Sequence, residues 1–275
     1  MKKTIILATI LLILGMFICL VALAQCDFDF SKLTTSKFNT NTYQVVQDFD
    51  KISIDVNTTD IEFILSDDSL CSVECREAEN IKHSVKVENK TLIIEVNDAR
   101  EWYEHIGINF ESERITVYLP KKEYTSLTIL NNTGDIDIPK DFSFGKIKIE
   151  ADTSDVNCSA SLSKDISIKV STGDVTLNGS RVENKIEVKT STGDIKLTDI
   201  RCQDLDLESD TGDIKLDECD AGEISIETDT GDVFGSLISD KIFIVESDTG
   251  NIDVPKTVSG GICKITTDTG DIKIK

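Results

Sequence analysis

The stretch Ser209-Asp210-Thr211-Gly212-Asp213-Ile214-Lys215-Leu216 constrains this chain more than any other, because close copies of it recur to the last residues. Equivalents of Gly212 fall at Gly134, Ser154, Gly173, Gly193, Gly231, Gly250 and Gly270, so successive copies are 19 or 20 residues apart. A repeat this short cannot bury an apolar face by itself and must stack on its neighbours.

The residues around each turn give the architecture. Seven and five residues before it stand Leu127/Ile129, Ile147/Ile149, Ile166/Ile168, Ile186/Val188, Leu205/Leu207, Ile224/Ile226, Phe243/Val245 and Cys263/Ile265. Two and four residues after it stand Ile136/Ile138, Val156/Cys158, Val175/Leu177, Ile195/Leu197, Ile214/Leu216, Val233/Gly235, Ile252/Val254 and Ile272/Ile274. Spacing by two places each pair on one face of a strand, and the intervening residues are mostly charged or hydroxylic. Two short strands per coil define an all-β fold, a single-chain β-solenoid resembling a parallel β-helix. Eight coils climbing about 4.8 Å each make a rod of roughly 40 Å.

Ile52, Ile54, Ile61 and Phe63 hold the same register around Thr59, so the array starts near residue 49 and then breaks. The break contains strand-like pieces from Cys71 to Cys75, His83 to Val87, Leu92 to Val96 and Ile115 to Leu119, with a hairpin turn at Asn89-Lys90. These pieces read as a sheet that caps one end of the solenoid. Trp102 and Phe110, in the loop from Ala99 to Phe110, read as a plug of that cap, with ring stacking on a sugar or partner as the alternative.

The turn has a fixed chemistry. Thr precedes the turn position in all eight coils, Gly fills it in seven, and Asp follows it in seven, with Asn251 in the eighth. Gly there implies a positive φ, so Ser154 should sit in a strained or differently shaped turn. Stacked threonines could pass hydrogen bonds between coils. Asp210, Asp229, Asp248 and Asp268, with Asp213, Asp232 and Asp271, form an aspartate ladder. Carboxylates about 5 Å apart repel by about 1 kcal/mol per pair even in water. Backbone donors, Lys196, Lys215 and Lys273, or a bound Ca2+ must relieve this. The structural reading leads: no metal site and no cofactor are assigned.

The N-terminal segment is apolar and uncharged from Thr4 to Ala24, after Lys2 and Lys3. Twenty-one residues of helix span about 30 Å, a bilayer core. Residues 1–25 therefore read as a transmembrane anchor or long signal peptide, with the lysines inside and the bulk of the chain extracellular. Residues 26–47 read as a linker, 48–119 as the first coil plus inserted cap strands, and 120–275 as the solenoid repeats. A formal charge of −21 disfavours nucleic acid as a partner. Aromatics are 6% of the chain, which predicts an aliphatic core. Eight cysteines would suggest disulfides in an exported protein, but Cys158 and Cys263 fall on inward positions and Cys71 and Cys75 lie too far apart on one strand to bridge. Most are expected to be free core fillers.

Catalytic residues are not assigned. His83 and His105 are the only histidines, and no Ser-His-Asp set, phosphate loop or HExxH is present. Phe234 and Ile244 break the outward polar face and mark a possible contact spot on adjacent coils.

The Thr-Gly-Asp-Ile-x-Leu coils, the apolar N-terminal helix and the opening strand Phe49-Asp50-Lys51-Ile52-Ser53-Ile54 together resemble the bacterial "putative adhesin" β-strand-repeat family, a group of unknown function. The resemblance covers about residues 45–275 and carries no catalytic residues. It implies a membrane-attached surface solenoid that meets an unknown surface ligand, a glycan or an envelope protein. The leading expectation is a non-enzymatic adhesin presenting an acidic repeat face. An envelope-stress or regulatory component with a membrane partner is the alternative, and a carbohydrate-active β-helix enzyme comes third.

Overall fold

The computed structural model describes residues 2–25, 38–67, 70–79, 81–98 and 112–275. Helix α1 (Lys2–Gln25) comes first, followed by β1 (Phe38–Val45), β2 (Lys51–Leu65), β3 (Cys71–Ala78), β4 (Ile81–Glu88), β5 (Thr91–Asp98) and β6 (Glu113–Leu119). The repeats then supply β7 (Glu123–Thr133), β8 (Ile136–Ile138), β9 (Ser143–Thr153), β10 (Val156–Cys158), β11 (Leu162–Thr172), β12 (Val175–Asn178), β13 (Arg181–Thr192) and β14 (Ile195–Thr198). The last are β15 (Arg201–Thr211), β16 (Ile214–Thr230), β17 (Val233–Leu237), β18 (Lys241–Thr249), β19 (Ile252–Asp253), β20 (Gly261–Thr269) and β21 (Ile272–Ile274).

Every coil folds back at its turn, so residues before the turn form one sheet, the leading sheet, and residues after it form a second, the trailing sheet. The leading sheet runs β4-β5-β2-β7-β9-β11-β13-β15-β16-β20-β18 and the trailing sheet β1-β3-β6-β2-β8-β10-β12-β14-β16-β17-β21-β19. The long strands β2 and β16 pass through both. Coil-to-coil pairing is parallel and in register, for example Ile166↔Ile147 and Ile166↔Ile186.

The apolar pairs face each other across the gap between the sheets. Ile147, Ile149, Ile186, Val188, Ile195 and Ile214 are fully buried. Each buried aliphatic side chain is worth about 1.5–3 kcal/mol. The core is not aliphatic throughout. Phe49, Phe63, Tyr124, Phe142 and Phe144 pack together in the first coils, with Tyr124 and Phe144 ring centres 5.6 Å apart.

The cap forms as the alternation predicts. Strands β4 and β5 make an antiparallel hairpin whose turn residues Asn89 and Lys90 both take positive φ. On the other sheet β6 carries β3, and β3 carries β1, both antiparallel. Two corrections follow. Strands β5 and β6 do more than cap, because they stack in parallel on β2 as a coil of their own. Residues 38–45, within the stretch read as a linker, form strand β1: Tyr43 packs against the core and its hydroxyl donates to the His83 carbonyl. Alternation there is interrupted by Thr and Asn, which hides it in the sequence.

The coils do not stack in chain order at either end. Ile52 of β2 pairs with Leu92 on one side and Leu127 on the other, so the first coil lies inside the second. Cys263 of β20 pairs with Ile224 on one side and Phe243 on the other, so the last coil lies inside the penultimate one.

Half of the side chains of α1 lie outside the described residues, and among those described no helix is long and apolar enough to cross a membrane. Trp102, His105 and Phe110 lie outside the described residues.

Candidate functional site

The turns are held by three ladders, two of them continuous along the rod and the side-chain one broken at Val170. Backbone comes first: the turn glycine donates its N–H to the carbonyl of the threonine in the adjacent coil, as Gly193 does to Thr211 at 2.9 Å. The threonine side chains themselves point outward. The side-chain bonds come instead from the position two residues earlier, where Thr190, Ser209 and Thr267 donate to the carbonyls of Gly173, Gly193 and Gly231, each at 3.3 Å. Asn131 does the same through its amide, reaching the Thr59 carbonyl at 2.9 Å. Sequence reasoning missed this position, although it is hydroxyl or amide in six of the eight coils.

Glycine is required because the coils touch. A β-carbon on Gly193 would lie 2.1 Å from the Gly173 carbonyl oxygen, and its φ is +145°. Ser154 escapes by a different turn: its φ is not positive, it is buried, and its hydroxyl donates to the Gly134 carbonyl at 2.6 Å. That bond replaces the one its coil lacks, since Ala151 occupies the donor position.

The third ladder is the aspartate row. The backbone N–H of Asp174 donates to Asp155 Oδ1 at 2.8 Å, that of Asp194 to Asp174, that of Asp213 to Asp194 and that of Asp232 to Asp213. It ends with Asp271 N–H on Asp232 and Asn251 N–H on Asp271, the same exchange of coil order seen in the sheets. Each carboxylate thus accepts a backbone proton, and charge on an acceptor strengthens such a bond. Lys196 adds ion pairs to Asp174 and Asp194 at 3.8 and 3.6 Å. Lys215 and Lys273 make no ion pair with the row among the described residues. Asp210, Asp229, Asp248 and Asp268 are exposed beside it. No group of three His, Cys, Asp or Glu able to hold a metal ion occurs among the described residues.

A concavity lies at the opposite corner, where β7, β9, β11, β13 and β15 begin. It is an open groove of about 870 Å³. Tyr124, Phe144 and Val182 lie buried beneath it, Leu162 is exposed within it, and Lys146, Lys164 and Arg201 stand on its rim. One extra residue in β13, between Arg181 and Lys185, shifts its register against β11 within this wall. Gly145 keeps the neighbouring coil close, since a β-carbon there would meet the Thr125 carbonyl oxygen at 2.7 Å. Arg181 and Arg201 brace the adjoining corner by donating to the carbonyls of Asp199 and Glu218 in the next coil. The rim is mixed in charge: Glu123, Asp165 and Glu183 stand beside the lysines and arginines.

In the cap, Glu77 is buried and bonded to His83 Nδ1 at 2.9 Å, to His83 N–H at 2.8 Å and to Asn41 at 2.6 Å. Burial pushes the Glu77 carboxyl up, but these donors together with Lys82 outweigh it and leave its pKa below the ordinary value. This pair ties β1, β3 and β4 together. The six described cysteines are free. Burial raises the thiols of Cys71, Cys75 and Cys263 to about 12, which keeps them protonated and unreactive.

Phe234 and Ile244 do not form one spot. Phe234 lies on the trailing sheet beside Lys215 and Lys273, whereas Ile244 lies on the leading sheet beside Lys264. They face opposite sides of the rod.

A repeat built this way matches a known family over almost its whole length: the family's sequence profile covers residues 49–233 and 160–275. The chain belongs to the Toastrack DUF4097 family. Solved structures share the fold. A protein from Bacteroides fragilis described as a "putative adhesin" superposes with a TM-score of 0.51 at 18% identity, covering 88% of this chain and 99% of its own. A second so described, from Parabacteroides distasonis, gives 0.54 at 16% identity, with 87% and 98% covered. No curated protein matches the Toastrack chain by sequence.

Proposed function

We propose that this Toastrack protein is a non-enzymatic surface protein, anchored by α1, whose rigid rod binds a ligand outside the cell. The groove carries the reading. It spans five successive coils and presents the exposed Leu162 among Lys146, Lys164, Glu123, Asp165 and Glu183, a mixed apolar and hydrogen-bonding surface suited to an extended polyhydroxylated ligand. The rod supports it mechanically, because two continuous sheets hold the groove wall without a hinge. The structural relatives described as "putative adhesin" agree with a binding role. The uncharged run from Thr4 to Ala24 supports the anchor, with the remainder of the chain extracellular.

Glycan arrays and whole envelope fractions probed with the full chain test this. The expected result is saturable binding to a polysaccharide, weakened roughly fivefold or more by Lys146→Glu with Lys164→Glu. Recovery of a stoichiometric membrane protein from intact cells, without polymer binding, supports the regulatory alternative instead. Turnover of an acidic polysaccharide would defeat the non-enzymatic reading.

A further inference from the structure

The two ends of the rod are finished differently. At the first end, β4 covers the edge of β5, and β3 with β1 covers the edge of β6. At the other end, β18 and β19 pair only with β20 and β21, and no strand among the described residues meets their outer edges. Phe243 and Val245, whose counterparts in the middle coils are fully buried, are half-buried there. Ile242, Ile244 and Ile262 are exposed side by side on the adjacent outer face, Ile244 at 55%. The apolar interior of the solenoid therefore opens to solvent at this end.

We propose that this end is a homodimer interface, in which β18 pairs antiparallel with β18 of a second copy. The chain's own undescribed segments do not reach it. Residues 26–37 join β1, which lies eleven strand spacings away along the trailing sheet, about 53 Å at 4.8 Å each, while twelve extended residues span at most about 43 Å. Residues 99–111 must return to β6 and reach only half their extended length. A second copy supplies an edge of the same nine residues and an apolar section of the same size. A two-fold axis at Ile244 sets Phe243 opposite Val245 in the interior and Ile244 against its own copy outside. The end measures about 30 Å by 20 Å, so pairing buries about 600 Å² per copy, at the lower limit of stable interfaces. The same register sets Asp240 opposite Asp248, and each copy carries −21. Salt that screens this repulsion strengthens the dimer.

Sedimentation of the full chain in detergent, with hydrogen exchange of the β18 amides, decides the matter. The expected result is a monomer–dimer equilibrium that shifts toward dimer as salt rises to about 0.3 M, with β18 protection rising in step. Ile244→Lys, exposed in the monomer, should raise the dissociation constant at least about tenfold by placing like charges opposite each other. A dimer unchanged by Ile244→Lys, such as one made by α1, overturns the proposal. So does a monomer with unprotected β18 amides, or β18 protection that appears only when another envelope protein is added.

Discussion

Gly193 and Gly179 are both left-handed glycines, yet only one of them needs to be glycine. A β-carbon at Gly193 would strike a neighbouring carbonyl, whereas one at Gly179 would meet nothing within 4 Å. Asp199 and Glu218 occupy the position of Gly179 in later coils with φ of 51° and 50°, so that corner tolerates a side chain. Gly193→Ala should therefore lower stability by about 1–3 kcal/mol or more, and Gly179→Asn by well under 1 kcal/mol, as read from urea unfolding midpoints. Glu77 makes a second prediction. Its folded pKa is depressed, so its contribution is present above the unfolded value near 4.5 and is lost as pH falls through the lower folded value. Glu77→Gln should be less stable than the parent at neutral pH, and the gap should narrow on acidification below about pH 4.5, followed by thermal melts across pH. The inward residues of the coils were legible one by one, because period two admits a single interior face. The Ser154 hydroxyl bond was not, since it depends on what Ala151 fails to supply.

At the scale of the element, the aspartate row works as a backbone ladder. Asp213→Asn keeps an acceptor for Asp232 N–H and should leave stability nearly unchanged, while Asp213→Ala removes it and should cost about 1 kcal/mol. Excess calcium against chelator should not move the melting temperature, because the row's repulsion is already offset by N–H groups and Lys196. A shift of several degrees would restore a cation to the row. The sequence placed these carboxylates in line correctly but could not choose among their possible partners, because the N–H donors belong to the neighbouring coil. The groove was illegible for a related reason. The register shift in its wall comes from one additional residue in β13, visible only as a spacing of 20 between Gly173 and Gly193.

For the whole molecule, the repeat announces that coils stack but not which coil stacks on which. Near-identical coils offer near-identical surfaces, so the exchange of the last two left no periodic trace. The cluster Ile242, Ile244 and Ile262 was its one visible sign, and it reads as an outer-face irregularity until the order is known. The exchange makes a sharp prediction. Deleting residues 261–275 removes one coil from the chain but separates β18 and β19 from every strand they pair with, leaving Lys241–Asp220 as a side-chain tie to β16. Limited proteolysis of the truncated protein should then cut throughout residues 241–253 while leaving residues before 237 protected. Folding during synthesis inherits the same constraint. The penultimate coil, already outside the ribosome, has nothing to dock on and must wait for a coil that has yet to be made. When β20 and β21 emerge they slide between finished rod and waiting strands, closing both gaps in one event. The rod thus closes as a bolt does, by the piece that slides in between, and a chain interrupted shortly before that moment carries two loose coils instead of one, a difference that surveillance proteases read.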